Sequence, residues 1–337
     1  YQVVLPTRIP RAVSLDPLSQ GVLGASATQS ITRGREHTTA GVLGLLSAMT
    51  PDLDVFIRSS TDPLLFFEYH RQFTHSLIFI PIGGLICAVI LHYAYARRRR
   101  CSFQKTLLFC TLGYATHALL DACTNYGTQL LWPFSNERFA WNAVSIIDPG
   151  FTVPIVILLI LSGVIKSPVI ARLAFVWALL YPSIGLLQRD RAAAMAAELA
   201  SGRGHTPIRI EAIPTFANLL VWKVIYETEE RFYVDAVRVG LRSEAFPGDA
   251  AEKLQIDRDL PWLEPNHQQA RDIQRFRWFA GGLIAKDPNR DNVVIDIRYS
   301  MIPNEVRSLW AIKLNPHADP REYVEFINDS DARPGRM

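Results

Sequence analysis

Apolar residues are concentrated in the first 188 positions of this chain, and this concentration is the strongest constraint on its fold. Four apolar runs are long enough, or nearly so, to cross a bilayer at about 1.5 Å per residue. Two shorter candidate helices, residues 17–31 and 39–50, precede them and contain glycine and serine, which suit close helix packing in membranes. The pattern predicts an all-α transmembrane bundle of about four to six helices. The four long runs are residues 77–96, 106–122, 153–165 and 169–187.

From residue 189 onward the composition becomes that of a soluble protein. Segments with alternating or β-branched apolar residues are separated by turns, so we expect a β-rich domain here. Residues 265–279 are predicted to form a helix. We therefore expect an N-terminal extension (1–14) with no cleavable signal peptide, a membrane-embedded domain (15–188) and a β-rich domain (189–337). The predicted strands are residues 207–213, 219–227, 231–241, 292–299 and 308–314.

The position of the basic residues predicts the topology. The net charge is only +3, but residues 97–100 are four consecutive arginines directly after an apolar run. At a helix end such a block marks the cytoplasmic side far more often than it binds nucleic acid, so no nucleic-acid partner is expected. With this block inside, the β-rich domain is extracytoplasmic. The four cysteines show no paired spacing and are interpreted as packing residues.

Histidines and carboxylates fall on one membrane face in this topology. His117 and Asp121 are four residues apart and share a helix face, whereas His37 falls on the opposite face and is excluded. Such groups beside apolar helices are costly to bury unless something binds them, and a divalent metal is the usual candidate. The nitrogen and oxygen donors favour Zn²⁺, with Mn²⁺ or Fe²⁺ as alternatives, and their number allows more than one ion. The grouped residues are Asp52, Asp54, His70, His75, His117, Asp121 and Asp148.

Three of the candidate residues have alternative interpretations. Asp148 precedes Pro149 at a predicted helix start, where its carboxylate is either a ligand or an N-cap. His70 is either a ligand or a general acid. Arg71 is either a solvated charge or a clamp for an anionic oxygen such as a phosphate. His70 and Arg71 are therefore the predicted catalytic residues.

The order of these motifs resembles the YdjM-type family of membrane-bound metal-dependent hydrolases. The resemblance rests on Pro51-Asp52-Leu53-Asp54, His70-Arg71-Gln72-Phe73-Thr74-His75-Ser76, His117-Ala-Leu-Leu-Asp121 and Ile147-Asp148-Pro149, preceded by Asp16-Pro-Leu-Ser-Gln20. The family's His/Asp pattern is more distantly similar to zinc-dependent phospholipase C and P1 nuclease. The resemblance implies a multi-pass protein of the bacterial inner membrane, with Asp16 among its metal ligands.

The first motif departs from the family pattern. Members usually have Asp-x-x-Thr-His, whereas this chain has Ser19-Gln20 in place of Thr-His. A glutamine amide oxygen is a weaker ligand than an imidazole, so the departure implies either a weakened metal position or reduced activity.

Three functional hypotheses follow. The first is metal-dependent hydrolysis of a phosphoester in a phospholipid or another envelope-linked substrate, at the outer face of the lipid bilayer that holds the protein. The second is a transporter, which would place ligands through the membrane depth. The third is a metal-binding membrane scaffold without activity.

Overall fold

The structure, a computed structural model of the chain, describes residues 17–329. Asp16 and the predicted extension over residues 1–14 lie outside the described residues. Helices dominate as far as residue 202, and two antiparallel sheets with two further helices follow. The helices are α1 (Pro17–Ser30), α2 (Glu36–Met49), α3 (Leu65–Tyr69), α4 (Ile80–Ala94), α5 (Phe103–Ala122), α6 (Pro149–Ile165), α7 (Pro168–Gly202), α8 (Ile256–Asp259) and α9 (Gln268–Phe279).

The prediction of a four- to six-span bundle is wrong. Within the described residues, two helical segments are long and apolar enough to cross a membrane, Leu77–Ala94 and Pro168–Gly202. α6 is apolar but has only 17 residues. The remaining long helices are interior helices of the bundle: α1 is buried from Ser19 to Ser30, and α5 buries about half of its residues. The apolar runs therefore include helices packed against other helices as well as candidate spans.

Small residues allow the interior helices to approach closely. α1, α2 and α5 pack against one another, and their glycines lie at the contacts. A Cβ on Gly113 would lie 2.5 Å from the carbonyl oxygen of Gly44, and a Cβ on Gly24 would overlap the same residue. This backbone-to-backbone packing holds α5 against the end of α2, where the candidate ligands of both segments meet.

From the end of α7 to residue 329, the chain forms nine strands in two antiparallel sheets. The prediction of a β-rich region is confirmed, and each of the five predicted strands overlaps an observed one; the helix predicted over 265–279 corresponds to α9. The first sheet has the order β1-β2-β3-β4, with β5 paired to β3, and the second has the order β6-β7-β8-β9. The strands are β1 (Arg209–Pro214), β2 (Val221–Glu227), β3 (Arg231–Val239), β4 (Ser243–Phe246), β5 (Ala250–Glu252), β6 (Ile284–Lys286), β7 (Val293–Asp296), β8 (Trp310–Lys313) and β9 (Glu325–Asn328).

α7 belongs to both halves of the molecule. Its first part is apolar, and its last part packs Ala192 and Ala196 against Trp222 and Val237 of the first sheet. The helix is continuous through residue 188, where the composition changes. One helix therefore carries the chain from the apolar bundle to the sheet without a linker.

The second sheet and α9 cover one end of the helical bundle. Phe67 of α3 and Tyr126 of the loop after α5 share a core with Phe279 and Trp310. Arg275 of α9 adds ion pairs to Asp62 and Glu68 of the helical part. The covered loops include the segment that contains His70 and His75, so the β-rich part packs against the supports of the candidate site.

Candidate metal centre

The ends of three helical segments bring the candidate ligands together. Asp52 and Asp54 lie on the short 3-10 turn Pro51–Phe56, which Pro51 begins directly after α2. His75 lies on the short turn before α4, and His117 and Asp121 are one turn apart on α5. Each segment presents its ligand where a helix begins or ends, or on a buried helix face.

Four side chains converge on one point. The Nε2 atom of His75 lies 2.9 Å from Nε2 of His117 and 3.1 Å from Oδ2 of Asp121. Asp52 Oδ1 lies 3.4 Å from Nε2 of His75 and 3.2 Å from Nε2 of His117. A tetrahedral ion with bonds of about 2.0–2.1 Å separates its ligand atoms by about 3.3 Å. The observed spacings match such a set of donors.

Neither carboxylate oxygen of this set has a hydrogen-bond partner among the described residues, although Asp121 Oδ2 also lies 3.0 Å from Arg71 Nε as an ion pair. Asp52 Oδ1 and Asp121 Oδ2 are buried and accept no hydrogen bond from the described part of the chain. An unsatisfied buried carboxylate oxygen is costly. Both oxygens face the imidazole nitrogens, so a cation between them would satisfy all four atoms.

The Nδ1 atom of each histidine forms a hydrogen bond to a residue that is not one of the four candidate ligands. Nδ1 of His117 donates to the carbonyl oxygen of Ala48. Nδ1 of His75 lies 2.9 Å from Thr74 Oγ1, and that hydroxyl donates to Asp54 Oδ2 at 2.8 Å. With the proton on Nδ1, the lone pair is on Nε2 and directed at the centre. This arrangement of supporting hydrogen bonds is typical of histidine metal ligands.

Both carboxylate oxygens of Asp54 already accept hydrogen bonds. It accepts hydrogen bonds from Nδ1 of His70 at 2.7 Å and from the backbone N–H of Arg71 at 3.0 Å, besides the one from Thr74. Asp54 and His70 form a second group of metal-type donors with Asp52. The hydrogen bonds of Asp54 indicate that it orients His70 and His75 instead of contacting an ion itself.

Arg71 is turned inward and fully buried. Its φ of 63° is rare for a residue with a side chain. This conformation directs its backbone N–H to Asp54 while its Nε lies 3.0 Å from Asp121 Oδ2. The guanidinium also lies over the ring of Tyr126, 4.8 Å from its centroid. The structure therefore excludes the solvated-charge interpretation of Arg71.

The charges of the cluster do not balance within the protein. The buried carboxylates of Asp54 and Asp121 and the partly buried carboxylate of Asp52 face one guanidinium, which leaves a net charge of −2 when the imidazoles are neutral. Burial alone would lower the pKa of His75, but Asp54, Asp121 and Asp52 raise it above its usual value. Burial would likewise raise the pKa of Asp52, yet the nearby histidines hold it below its usual range. A divalent cation would neutralise the cluster without protonating the histidines.

Asp148 lies apart from the converging set. Its Oδ1 accepts hydrogen bonds from the Gly150 N–H at 3.0 Å and the Tyr181 hydroxyl at 2.8 Å, so it caps α6. Asp148 borders a cavity of about 20 Å³ together with Gln20, Arg71 and Asp121, with room for about one water molecule. Neither group of converging donors includes Asp148.

Gln20 contacts the cluster as a hydrogen-bond donor. Its amide nitrogen donates to Asp121 Oδ1 at 2.7 Å, while its amide oxygen is buried without a partner among the described residues. In this conformation Gln20 orients Asp121, a role that sequence reasoning missed. Thr74 and Ala48 were missed as well; Thr74 lies inside the His70–Ser76 motif, but a backbone carbonyl carries no sequence signal.

Comparison with known proteins identifies the family. A family model described as "YdjM inner membrane protein" matches residues 15–192, more than half of the chain, and this segment includes the whole cluster. The chain belongs to the YdjM family of inner membrane proteins. The resemblance seen in the sequence motifs is thereby confirmed.

Two curated proteins are similar to part of the chain. "Inner membrane protein YbcI" of Escherichia coli (strain K12) is 34% identical over 116 residues, which are 31% of this chain and 60% of that protein. "Uncharacterized protein YfhP" of Bacillus subtilis (strain 168) is 27% identical over 130 residues, 38% of each chain. The matches thus span less than two thirds of either relative. No solved structure matches the chain significantly.

Proposed function

We propose that this YdjM-family membrane protein is a metal-dependent hydrolase whose ion is bound by Asp52, His75, His117 and Asp121. The observation that carries the proposal is the convergence on one buried point of two Nε2 atoms and two carboxylate oxygens that accept no hydrogen bond from the described residues. The charge deficit of the cluster independently favours a divalent cation.

The donor set favours a single zinc ion. Two imidazole nitrogens and two carboxylate oxygens at tetrahedral spacing suit Zn²⁺, and the same donors accept Mn²⁺ or Fe²⁺. A second ion would need Asp54, whose two oxygens already accept hydrogen bonds from three donors. One ion per chain is therefore the stoichiometry we propose.

The surrounding residues supply the other requirements of hydrolysis. A bound divalent ion would lower the pKa of a coordinated water and polarise the bond under attack. His70, fixed through Nδ1 by Asp54, lies beside the cluster and is the residue we propose for proton transfer. Arg71 Nη2 has no hydrogen-bond partner among the described residues, and Arg71 borders the cavity beside Asp121. This free donor supports a phosphoester of a lipid or envelope component as the substrate.

We also propose that the centre faces the outside of the inner membrane. α4 begins shortly after His75 and ends at Ala94, just before the arginines of residues 97–100. The cluster and the basic block therefore lie at opposite ends of one candidate span. Since basic blocks favour the cytoplasm, the cluster is assigned to the other face.

One observation favours a second function, a metal-stabilised scaffold. Structural zinc sites have four protein ligands, whereas catalytic sites keep a position open for water. His75, His117 and Asp121 are almost completely buried, and the set already offers four donors. Hydrolysis thus requires an ion that accepts a fifth or sixth ligand.

Elemental analysis of the detergent-purified chain tests the centre. We expect about one equivalent of zinc or manganese in wild type and none in the His75→Ala/Asp121→Ala double variant. His37→Ala is the matched control, because His37 is equally buried but is bonded to Ser162 at another place in the bundle. A wild-type protein that neither contains metal nor takes up zinc, manganese or iron would refute the centre.

Activity of the same preparations separates the two functions. A chromogenic phosphodiester and phospholipid vesicles are offered to metal-loaded wild type, the double variant and His37→Ala. Hydrolysis that is lost only in the double variant supports the enzyme. A fully loaded protein that cleaves neither these substrates nor carboxylic ester and amide probes is a scaffold.

A further inference from the structure

Two loop tips of the first sheet carry exposed large apolar side chains. Phe216 and Leu220 lie in the β1–β2 loop and are 73% and 55% exposed, and Leu241 lies in the β3–β4 turn and is fully exposed. The register of β2 and β3 places both tips at the same end of the sheet, because Val221 pairs with Arg238. The sheet therefore presents three unpartnered apolar side chains along one edge.

Hydrogen bonds to α7 fix the position of these two loop tips along the helix axis. Gln188 donates to the carbonyl oxygens of Leu219 at 3.4 Å and Val239 at 3.1 Å. Arg191 donates to the carbonyl oxygen of Gly240 at 2.7 Å. Both tips thus lie beside residues 188–191, the first turn after the last apolar residues of the candidate span.

The exposed apolar surface of α7 continues up to this level. Leu180 and Leu187 are 48% and 66% exposed on the apolar part of the helix. One helical turn rises about 5.4 Å, and the headgroup region on each side of a bilayer is about 5–8 Å thick. Because the tips begin within one turn of Leu187, they lie at the depth of the headgroups when α7 crosses the bilayer.

The charges near the tips suit an anionic lipid surface. Arg189 and Arg191 follow the apolar run, and exposed Arg242 follows Leu241. Asp190 lies among them but is paired with Arg189. The carbonyl oxygen of Trp141, a residue type enriched at membrane interfaces, accepts a hydrogen bond from Arg189. Apolar tips flanked by arginines are the arrangement found in interfacial membrane anchors.

We propose that the β1–β2 and β3–β4 tips, carrying Phe216, Leu220 and Leu241, insert into the headgroup layer of the bilayer that α7 crosses. The β-rich domain then rests on the membrane through its first sheet, next to the end of the bundle that contains the metal centre. This surface is independent of whether the centre hydrolyses any substrate.

Spin labels on the full-length protein test the insertion. Phe216→Cys and Leu241→Cys are each labelled after reconstitution into vesicles of phosphatidylethanolamine and phosphatidylglycerol. Three of the four native cysteines are buried and the fourth is half-buried, and labelled wild type measures their background. The control is Glu229→Cys, an exposed position in the β2–β3 turn at the opposite end of the sheet.

Collision rates with lipid-soluble oxygen and a water-soluble nickel chelate are then compared. We expect labels at 216 and 241 to collide several-fold more with oxygen, and less with nickel, than the label at 229. Nickel access equal to that at 229 would overturn the proposal. Labels that are immobilised and shielded from both reagents would overturn it too, because they would indicate a protein partner or a second copy of this chain.

Discussion

The Nε2 atoms of His75 and His117 face each other at 2.9 Å, with carboxylate oxygens of Asp52 and Asp121 beside both. Two protonated nitrogens cannot occupy these positions, so a proton or a metal ion must lie between them. Because the carboxylates raise the pKa of His75, a proton is strongly bound when metal is absent. Metal and protons therefore compete for the same atoms.

This competition predicts a pH-dependent zinc affinity. Zinc binding should release about one to two protons from the cluster. Below the pKa of each group that releases a proton, the zinc affinity should fall by up to about tenfold for each pH unit. Competition with a chromophoric chelator between about pH 8 and about pH 6 measures the slope. His37→Ala should keep the wild-type slope. An affinity that does not change over this range would show that no proton competes with the ion for the imidazoles, which would contradict this prediction.

Asp54→Asn separates an orienting carboxylate from a ligand. We expect one bound zinc per chain but an affinity about 10–100-fold lower, because the amide weakens the hydrogen bonds that orient His70 and Thr74. Asp52→Asn, which alters a direct donor, should cost more. Zinc titration of both variants in detergent gives the comparison. Equal losses would mean that Asp54 contacts the metal.

Arg275→Ala tests whether the β-rich part supports the metal centre. Arg275 bonds to Asp62 and Asp272 at 2.8–2.9 Å and to Glu68, so its removal deprives three carboxylates of the cation that they share. We expect a loss of about 1–3 kcal/mol in unfolding free energy and faster hydrogen exchange in residues 57–76.

An exposed ion pair is the control for Arg275. Arg231 and Glu252 are both about half exposed, and Arg231→Ala should change the unfolding free energy by less than about 1 kcal/mol. Unchanged exchange of residues 57–76 in Arg275→Ala would contradict the proposed support.

Lys223 predicts a pH-dependent stability of the β-rich part. Its ammonium group is buried against Ser300 and the carbonyl oxygen of Glu305, and burial lowers its pKa to about 7. Between this value and the ordinary pKa of 10.5, the unfolded chain binds a proton that the folded chain does not. Stability therefore rises with pH across this window, by at most about 5 kcal/mol.

Lys223→Met should remove this dependence. The difference between wild type and variant in unfolding free energy, measured at about pH 7 and about pH 10, isolates the contribution of Lys223 from other titrating groups. Parallel pH profiles for the two proteins would show that Lys223 keeps an ordinary pKa.

Much of the cluster could be predicted because its signal is local. The i,i+4 spacing places His117 and Asp121 on one face, and Pro51 ends α2 directly before Asp52. Alternation of apolar residues predicted β2 and β3, because these strands are seven and nine residues long, which is enough to show the pattern. Strands β5 and β6, with three residues each, are too short to show alternation.

The remaining features depend on tertiary contacts. The apolar run at 106–122 is typical of a span, but about half of the residues of its helix are buried because α1 and α2 pack against it. The inward turn of Arg71 depends on Asp54 and Asp121, which lie 17 and 50 residues away in the chain. Whether a carboxylate binds an ion or orients a histidine is likewise decided by its neighbours in space.

α7 is one unbroken helix of 35 residues, about 52 Å long. The helix fixes the position of the first sheet along the helix axis and its rotation about that axis. Each inserted residue would rotate the part of the chain that follows it by about 100°. Insertion of a single alanine near residue 188 would thus rotate the β-rich part relative to the loops that contain the histidines. The length and register of α7 therefore determine where the first sheet lies relative to the candidate span.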